Sequence, residues 1–406
     1  MVGEHSARAQ SWQLLTALFA LANFLEVAVI AHFVLFTPAF LAAIGFDQTA
    51  IHQWTGPIAA AGFALGIWFV PFWGVLADRY GRKPLILRSY YVEVIAMVLA
   101  ALSHNVWLYL FARALTGFAL GNTGLMYASL TEVAPKNRVA LALSLVNGSA
   151  PLGSLVGGLV GGLIVSQLGV HWLFGFDAVV AAILAVILTA RYRETFVAKA
   201  TPPLGTMLGD ALRAVIHTPV AATIFVISFV SNCAFFFSFP YLPVRIEELV
   251  GSVAAPIVIG LIQGAGGVTT LLGSAVWGAL ADRIGHRRLL AGLMAAAALI
   301  WLPLFAAPSI EMLALGWVLL NAVNPSVGSL MFAIISLNVP ADKRGSILSM
   351  IYLPLNFAFV VAPVTASWVV QATHEARVVF LVSAGLALFA LGIFAANIRR
   401  TSSSGG

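Results

Sequence analysis

The feature that most constrains this chain is a succession of long apolar runs separated by short basic segments. A helix needs about 20 mostly apolar residues to cross the hydrocarbon core of a bilayer. Runs of that kind fall near 12–36, 52–73, 86–104, 106–130, 140–165, 171–190, 219–242, 254–277, 289–307, 311–335, 347–370 and 377–397. A segment in lipid must satisfy its own backbone, and for runs of this length that means helix. Composition agrees: 61% of residues are hydrophobic and 9% are charged, against roughly 25% charged in soluble domains. The expectation is an all-α membrane protein with twelve transmembrane helices. The first run, with only Arg8 basic before it, is too long for the apolar part of a cleavable leader and reads as an uncleaved helix.

The net charge of +6 does not point to nucleic acid, because the basic residues are not gathered in one block. Of the 21 Lys and Arg residues, all but Arg113, Arg245 and Arg377 fall in alternate loops and at the termini. The positive-inside rule places that side, with both termini, in the cytoplasm. The segment 192–218 carries Pro202, Pro203, Gly205 and several charges, and reads as a cytoplasmic linker. It divides the chain into an N-terminal bundle, 1–191, and a C-terminal bundle, 219–400, with 401–406 expected as a disordered Ser/Gly-rich tail. The lone cysteine, Cys233, sits beside Phe235, Phe236 and Phe237 and reads as an apolar filler. The sequence offers no metal-ligand cluster, no phosphate-binding P-loop and no nucleophile motif. An enzyme, a bound cofactor or metal and ATP drive are therefore not expected.

The chain also repeats itself. A shift of 204 residues lays G-V-L-A-D-R-Y-G-R-K (74–83) on G-A-L-A-D-R-I-G-H-R (278–287). The same shift pairs Trp73 with Trp277, Gly62 with Gly266, Gly56 with Gly260 and Gly124 with Gly328. A duplicated six-helix unit explains these matches, and predicts two pseudo-symmetric six-helix bundles around an axis along the membrane normal.

The doubled G-x-L-A-D-R-x-G element resembles the loop 2–3 signature of the major facilitator superfamily and its repeat between helices 8 and 9. The resemblance covers nearly the whole chain and implies the major facilitator fold. Within the motif, Gly74 suits close packing of a helix end. Gly81 suits a tight turn that a Cβ obstructs. The resemblance implies that Gly74, Asp78, Arg79, Gly81 and Arg82, with Asp282, Arg283 and Gly285 in the repeat, belong to cytoplasmic charge relays that latch one conformation. R-A-L-T-G, residues 113–117, resembles the R-x-x-x-G element of twelve-span proton-coupled drug antiporters. The glycine run 157–162 sits where those proteins show G-P-x-x-G-G, with Gly158 in place of the proline. Small-xxx-small spacing, as at Gly153/Gly157 and Gly158/Gly162, also serves close helix packing.

Charges inside the membrane are costly, about 2.5–3.5 kcal/mol each at a helix centre, so they mark candidate sites. Glu26 and Arg113 sit at similar depth in the first half, and an acid that pairs with Arg113 and is protonated when that contact breaks is a coupling device. Asn23, one turn before Glu26, is placed to hydrogen-bond it. Asp177 is either a second acid or an outer-interface group. Glu93 reads as structural or gating, near cytoplasmic arginines. His32 reads as interfacial. The 204-residue shift puts Val230 and Trp317 where the first half has Glu26 and Arg113, so the second half is expected to supply an apolar, polar-dotted wall. Its cavity candidates are Asn232, Phe236, Tyr241, Gln263, Asn321 and Asn356. The resemblance implies a secondary active transporter in a bacterial inner membrane, acting as a monomer. It would exchange protons for small amphipathic or drug-like compounds by alternating access. An uptake symporter or a dedicated metabolite exporter on the same fold is the alternative.

Overall fold

The computed structural model describes residues 10–194, 204–339, 347 and 350–403. Arg8, Lys199, Pro202, Pro203, Lys343, Arg344 and residues 404–406 lie outside the described residues. Among the described residues there are helices and turns and no strand. The first part of the chain forms α1 (Trp12–Ala43), α2 (Gln48–Gly66), α3 (Val70–Tyr80), α4 (Arg82–Ala101), α5 (Val106–Leu115), α6 (Asn122–Val133), α7 (Val139–Leu168) and α8 (Val170–Arg191). After α9 (Leu204–Ile216) follow α10 (Pro219–Ser238), α11 (Leu242–Val250), α12 (Ala255–Ile284), α13 (His286–Ala306), α14 (Ile310–Asn338), α15 (Leu353–Thr373) and α16 (Val378–Ser403).

Ten helical stretches among the described residues are long and apolar enough to cross a membrane. The runs at 52–73 and 106–130 are not among them, because each is broken. The first divides into α2 and α3, where Pro71 lies in the first turn of α3. A proline has no N–H to continue the preceding helix and is tolerated at a helix start. The second divides into α5 and α6 around a 3-10 turn, Thr116–Ala119, and Gly121 at φ 96°. This turn packs backbone to backbone on α2. A Cβ on Gly117 would collide with the carbonyl oxygen of Gly62, and one on Gly66 with that of Gly117. The glycine of the R-x-x-x-G element thus allows close approach.

Three other expectations need correction. Helix α1 runs on past residue 36 to Ala43, through Pro38, and the Thr37 hydroxyl donates to the Phe33 carbonyl. Glu26 therefore lies near the middle of α1. The linker is not all loop: α9 lies within it, against α3 and α10. The tail is helical through Ser403.

Gly81 and Gly285 share φ 91°, each ending one helix immediately before the next begins. A Cβ is disfavoured in that conformation, so both copies of the motif use glycine for the same turn. Helix α1 packs on α7, and α4 on α8. Helix α10 packs on α15 and α16, and α14 on α12 and α13. Two seams join these groups, α7 with α12 and α2 with α15. Helix α7 serves two neighbours through two glycine stripes. Gly153, Gly157 and Gly161 face Phe24, Ala28 and His32 on α1. Gly158 and Gly162 face Gln263, Gly260 and Pro256 on α12. Close packing by small residues is how helices associate where lipid supplies no hydrophobic drive. Large apolar side chains such as Trp107, Leu163, Trp172, Val186 and Trp368 remain exposed on the outer surface, where lipid is the apolar partner.

Candidate functional site

A cavity of 660 Å³ opens between the helices, within the range of small-molecule sites. Helix α1 brings Asn23 and Glu26, α3 brings Trp73 and Asp78, and α4 begins at Arg82. Thr123 and Tyr127 come from α6, Asn147 from α7, and Tyr352 and Asn356 from the start of α15. The cavity therefore reaches the end of the molecule that carries the 74–83 motif.

The opposite end is closed across the two seams. The Tyr241 hydroxyl donates to the His52 carbonyl at 2.8 Å, and the Ser367 hydroxyl to the Gln53 carbonyl at 2.8 Å. Gly56 sits so close to the Pro363 carbonyl that no Cβ fits. His52 Nε2 lies 3.9 Å from Glu248 Oε1. Nearer the centre, Phe63 of α2 stacks on Phe359 of α15 with centroids 3.8 Å apart, and Phe359 stacks on Phe236 at 3.5 Å.

Glu26 is buried in the cavity wall and accepts a hydrogen bond from the Tyr90 hydroxyl at 3.3 Å. The buried side-chain amide of Asn122 lies beside it. The expected partner, Arg113, does not meet Glu26. The Arg113 guanidinium donates to Thr116 Oγ1 at 3.0 Å and to the Ala59 carbonyl at 3.2 Å, and lies over the rings of Phe33 and Phe63. The break between α5 and α6 explains the difference: the 3-10 turn brings Thr116 back under the guanidinium and turns it toward α2. Asn23 does not bind Glu26 either. Its amide donates to the Val146 carbonyl and to Ser149 Oγ, both at 3.0 Å, tying α1 to α7.

His32, read as interfacial, and Asp177, read as a second acid or an outer-interface group, both lie in the interior. His32 and Asp177 are buried together, with Nδ1 2.8 Å from Oδ2, and His32 Nε2 is 2.7 Å from the Gly157 carbonyl. Glu93 is buried and meets no arginine. It lines a smaller cavity with His32 and Asp177. Its place in the middle of α4, a helix that packs on α8, is the reason.

At the motif end, Arg82 makes two 2.7 Å hydrogen bonds to the Glu132 carboxylate. The backbone N–H groups of Arg82 and Lys83 donate to Glu194 at 2.9 and 2.8 Å, so a carboxylate caps the N-terminus of α4. Arg88 lies 3.5 Å over the Trp73 ring. Asp78 has no ion pair or hydrogen bond among the described residues. Arg79, Asp282 and Arg283 are exposed.

Of the six cavity candidates in the second half, only Asn356 lines the large cavity. Asn232 and Asn321 return their amides to their own helices, at Ser228 and Trp317. Gln263 accepts from Trp317 Nε1 at 2.7 Å inside the α7/α12 seam. Tyr241 and Phe236 belong to the closed end and the aromatic stack. The sequence reading missed Tyr90, Asn122, Tyr127 and Tyr352. Tyr90 carried a signal, being one helical turn before Glu93 on the same face.

A cavity with a buried acid in its wall, sealed at one end between packed apolar helices, defines a membrane transporter. A family model described as Major Facilitator Superfamily matches residues 16–269 and 225–405, and the chain belongs to that superfamily. Multidrug resistance protein MdtG of Citrobacter koseri is 27% identical over 356 residues, covering 87% of this chain and 87% of that protein. The MdtG of Escherichia coli O1:K1 is likewise 27% identical over 356 residues, with 87% of each chain covered. Among solved structures, the nucleoside transporter NupG superposes with a TM-score of 0.77 at 16% identity, covering 94% of this chain and 98% of that one. The POT family transporter PepTSo gives 0.76 at 14% identity, covering 97% and 99%. These two likenesses show the fold alone.

Proposed function

We propose that this protein exports small amphipathic compounds in exchange for protons, by alternating access. The observation that carries the reading is Glu26: a buried carboxyl group in the wall of the 660 Å³ cavity, held by Tyr90 and with no cation within ion-pair distance among the described residues. A carboxylate placed there is costly unless it is protonated or meets a cation. Proton and cationic substrate then compete for one group, which is the exchange that antiport requires. The relatives named as multidrug resistance proteins support the substrate class.

The α2/α3 and α5/α6 pairs each count as one interrupted span, which brings the ten stretches to twelve, arranged as two six-helix halves. The basic loops place the motif end and both termini on the cytoplasmic side of a bacterial inner membrane. The open cavity is then inward-facing. Asp78 lines it together with Tyr352, which sits at the N-terminus of α15. A carboxylate is stabilised at such a terminus, so rocking the halves together would set Asp78 there as a latch.

The test uses inside-out vesicles energised to be acid inside. The native protein accumulates a lipophilic cation and loses it with an uncoupler, and Glu26→Gln does neither. Full uncoupler-sensitive accumulation by the Gln variant removes Glu26 from the mechanism. Gly158, standing where drug antiporters carry proline, favours one second reading, an uptake symporter or dedicated metabolite exporter. Flux direction on collapse of the proton gradient separates the two.

A further inference from the structure

Behind Glu26 lies a second cavity of 120 Å³, between α1, α4, α7 and α8. Its walls are almost wholly apolar, yet His32, Tyr90, Glu93 and Asp177 all reach it. The Tyr90 hydroxyl, bonded to Glu26, stands between this chamber and the large cavity.

The hydrogen bonds of His32 fix how many protons the chamber holds. Nε2 is 2.7 Å from a backbone carbonyl, which only accepts, so Nε2 carries a hydrogen. Nδ1 is 2.8 Å from Asp177 Oδ2, and two lone pairs do not meet at that distance without a hydrogen between them. The pair therefore holds one more proton than a neutral imidazole beside an ionised carboxylate would. Glu93 is 3% exposed and has no hydrogen-bond partner among the described residues, with Glu26 and Asp177 as its electrostatic neighbours.

The titratable groups facing this region are Glu26 and His32 from α1, Tyr90 and Glu93 from α4, and Asp177 from α8. Helix α7 brings only the Gly157 carbonyl. From α5, Tyr109 is bonded to Thr37, and Arg113 is turned to Ala59 and Thr116. Three acids thus share the interior with a single histidine. Several unpaired charges in apolar surroundings are too costly to stand together, so protons must reside there.

We propose that His32, Asp177 and Glu93 form an internal proton-holding site behind Glu26, and that Tyr90 relays a proton between the two. The inference rests on the proton-coupled reading above. The Tyr90 O–H proton passes to Glu26 Oε2, a chamber water gives a proton to the Tyr90 oxygen, and the Glu93 carboxyl gives one to that water. One O–H bond forms on Glu26 and one breaks on Glu93, while Tyr90 and the water end as they began. The chamber has room for a few waters at about 30 Å³ each. Glu26 can then be reloaded from within the protein while the outer end is shut.

The experiment compares the full-length protein with Tyr90→Phe, Glu93→Gln and Glu93→Asp, using ethidium as the probe. Ethidium binding in detergent reports folding, and accumulation in proteoliposomes under a proton gradient reports coupling. Tyr90→Phe and Glu93→Gln are expected to bind ethidium but accumulate it at least tenfold more slowly, with the pH midpoint of the rate displaced. Glu93→Asp keeps the acid and is expected to regain part of the rate. A packing role ranks the other way, since Gln matches Glu in shape and Asp does not. Wild-type rates and pH profiles in Tyr90→Phe and Glu93→Gln overturn the proposal, as does a folded Asp variant no faster than Gln. A native protein that shows no gradient-driven accumulation removes the proton-coupled reading and this inference together. A competent native protein with unaffected variants removes this inference alone.

Discussion

Phe359→Ala isolates the energy that keeps shut the end opposite the 74–83 motif. Phe359 lies between two rings, but only one of those contacts crosses a seam. Its stack on Phe63 joins α15 to α2 and must part when that end opens, whereas its stack on Phe236 lies between α10 and α15, which pack on each other. The relevant quantity is therefore one stacked pair. Such a pair contributes about 0.5–1.5 kcal/mol beyond its burial, and the apolar faces that separate add a further term at about 25 cal/mol per Å². Together they give about 1–3 kcal/mol, or about 5- to 150-fold in the equilibrium between closed and open outer ends. Spin labels on cysteines placed at the exposed positions Thr49 and Val253 report that equilibrium as a pair of distances. Cys233 is the only native cysteine and is buried, so replacing it first leaves the labelling specific. The variant should raise the population of the longer distance by at least fivefold, and Phe63→Ala should match it. Phe236→Ala should have a much smaller effect, because its contact does not cross the seam. An unchanged distribution in both seam variants, or an equal effect from Phe236→Ala, would refute the argument.

Tyr241→Phe deletes the hydrogen bond to the His52 carbonyl and should favour outer opening by about 1 kcal/mol, seen in the same distance measurement. Gly158→Leu forces a side chain into Gln263 and the Gly260 backbone. Overpacking of this kind costs about 1–3 kcal/mol or more, and should lower the melting temperature or prevent the α7/α12 seam from closing. Glu132→Gln removes an ion pair whose acid is half exposed, so thermal stability should change by no more than about 1 kcal/mol. A shift of several kcal/mol there would mean that the Arg82–Glu132 bond is held far from solvent.

The fold was legible because lipid makes the sequence explicit. Each crossing must be an apolar run, and the 204-residue repeat states the duplication directly. The two breaks were less visible. Pro71 and Gly117 lie inside apolar runs, and hydropathy does not register a missing N–H or a backbone contact. The helix α9 was missed for the opposite reason. Its leucines at 204, 208 and 212 carry a helical period, but the neighbouring prolines and charges outweighed it. For the site, the rarity of intramembrane charges identified Glu26, Arg113 and Asp177, all of which prove buried. What could not be read was facing. Whether Asn321 turns to a cavity or to its own helix, or His32 to lipid or to Asp177, depends on the rotation of each helix about its axis. Here the two glycine stripes of α7 set that rotation for α1 and α12.

The repeat also shows where the chemistry has been kept. The 204-residue shift places Val230, Phe236, Met294, Ala297, Trp317 and Leu381 opposite Glu26, His32, Tyr90, Glu93, Arg113 and Asp177. Every titratable interior group of the first half faces an apolar one in the second. The helix breaks fall at different places in the two halves: α12 and α14 run unbroken where α2/α3 and α5/α6 do not, and α1 runs unbroken where α10/α11 does not. Ionisable groups in lipid are hard to keep without use, so the first half reads as the part that changes charge and the second as the wall it moves against. The seams convert one into the other. At Gly158 against Gly260 and at Gly56 against Pro363 the two sides touch backbone to backbone. Contacts that close leave no soft side chains to absorb a small tilt of α1 or α7, and packed interfaces of this kind switch between arrangements instead of deforming gradually. A proton moving among Glu26, Tyr90 and Glu93 therefore acts on one side of a stiff joint, which is where a local change of charge has most leverage over which end of the cavity is open.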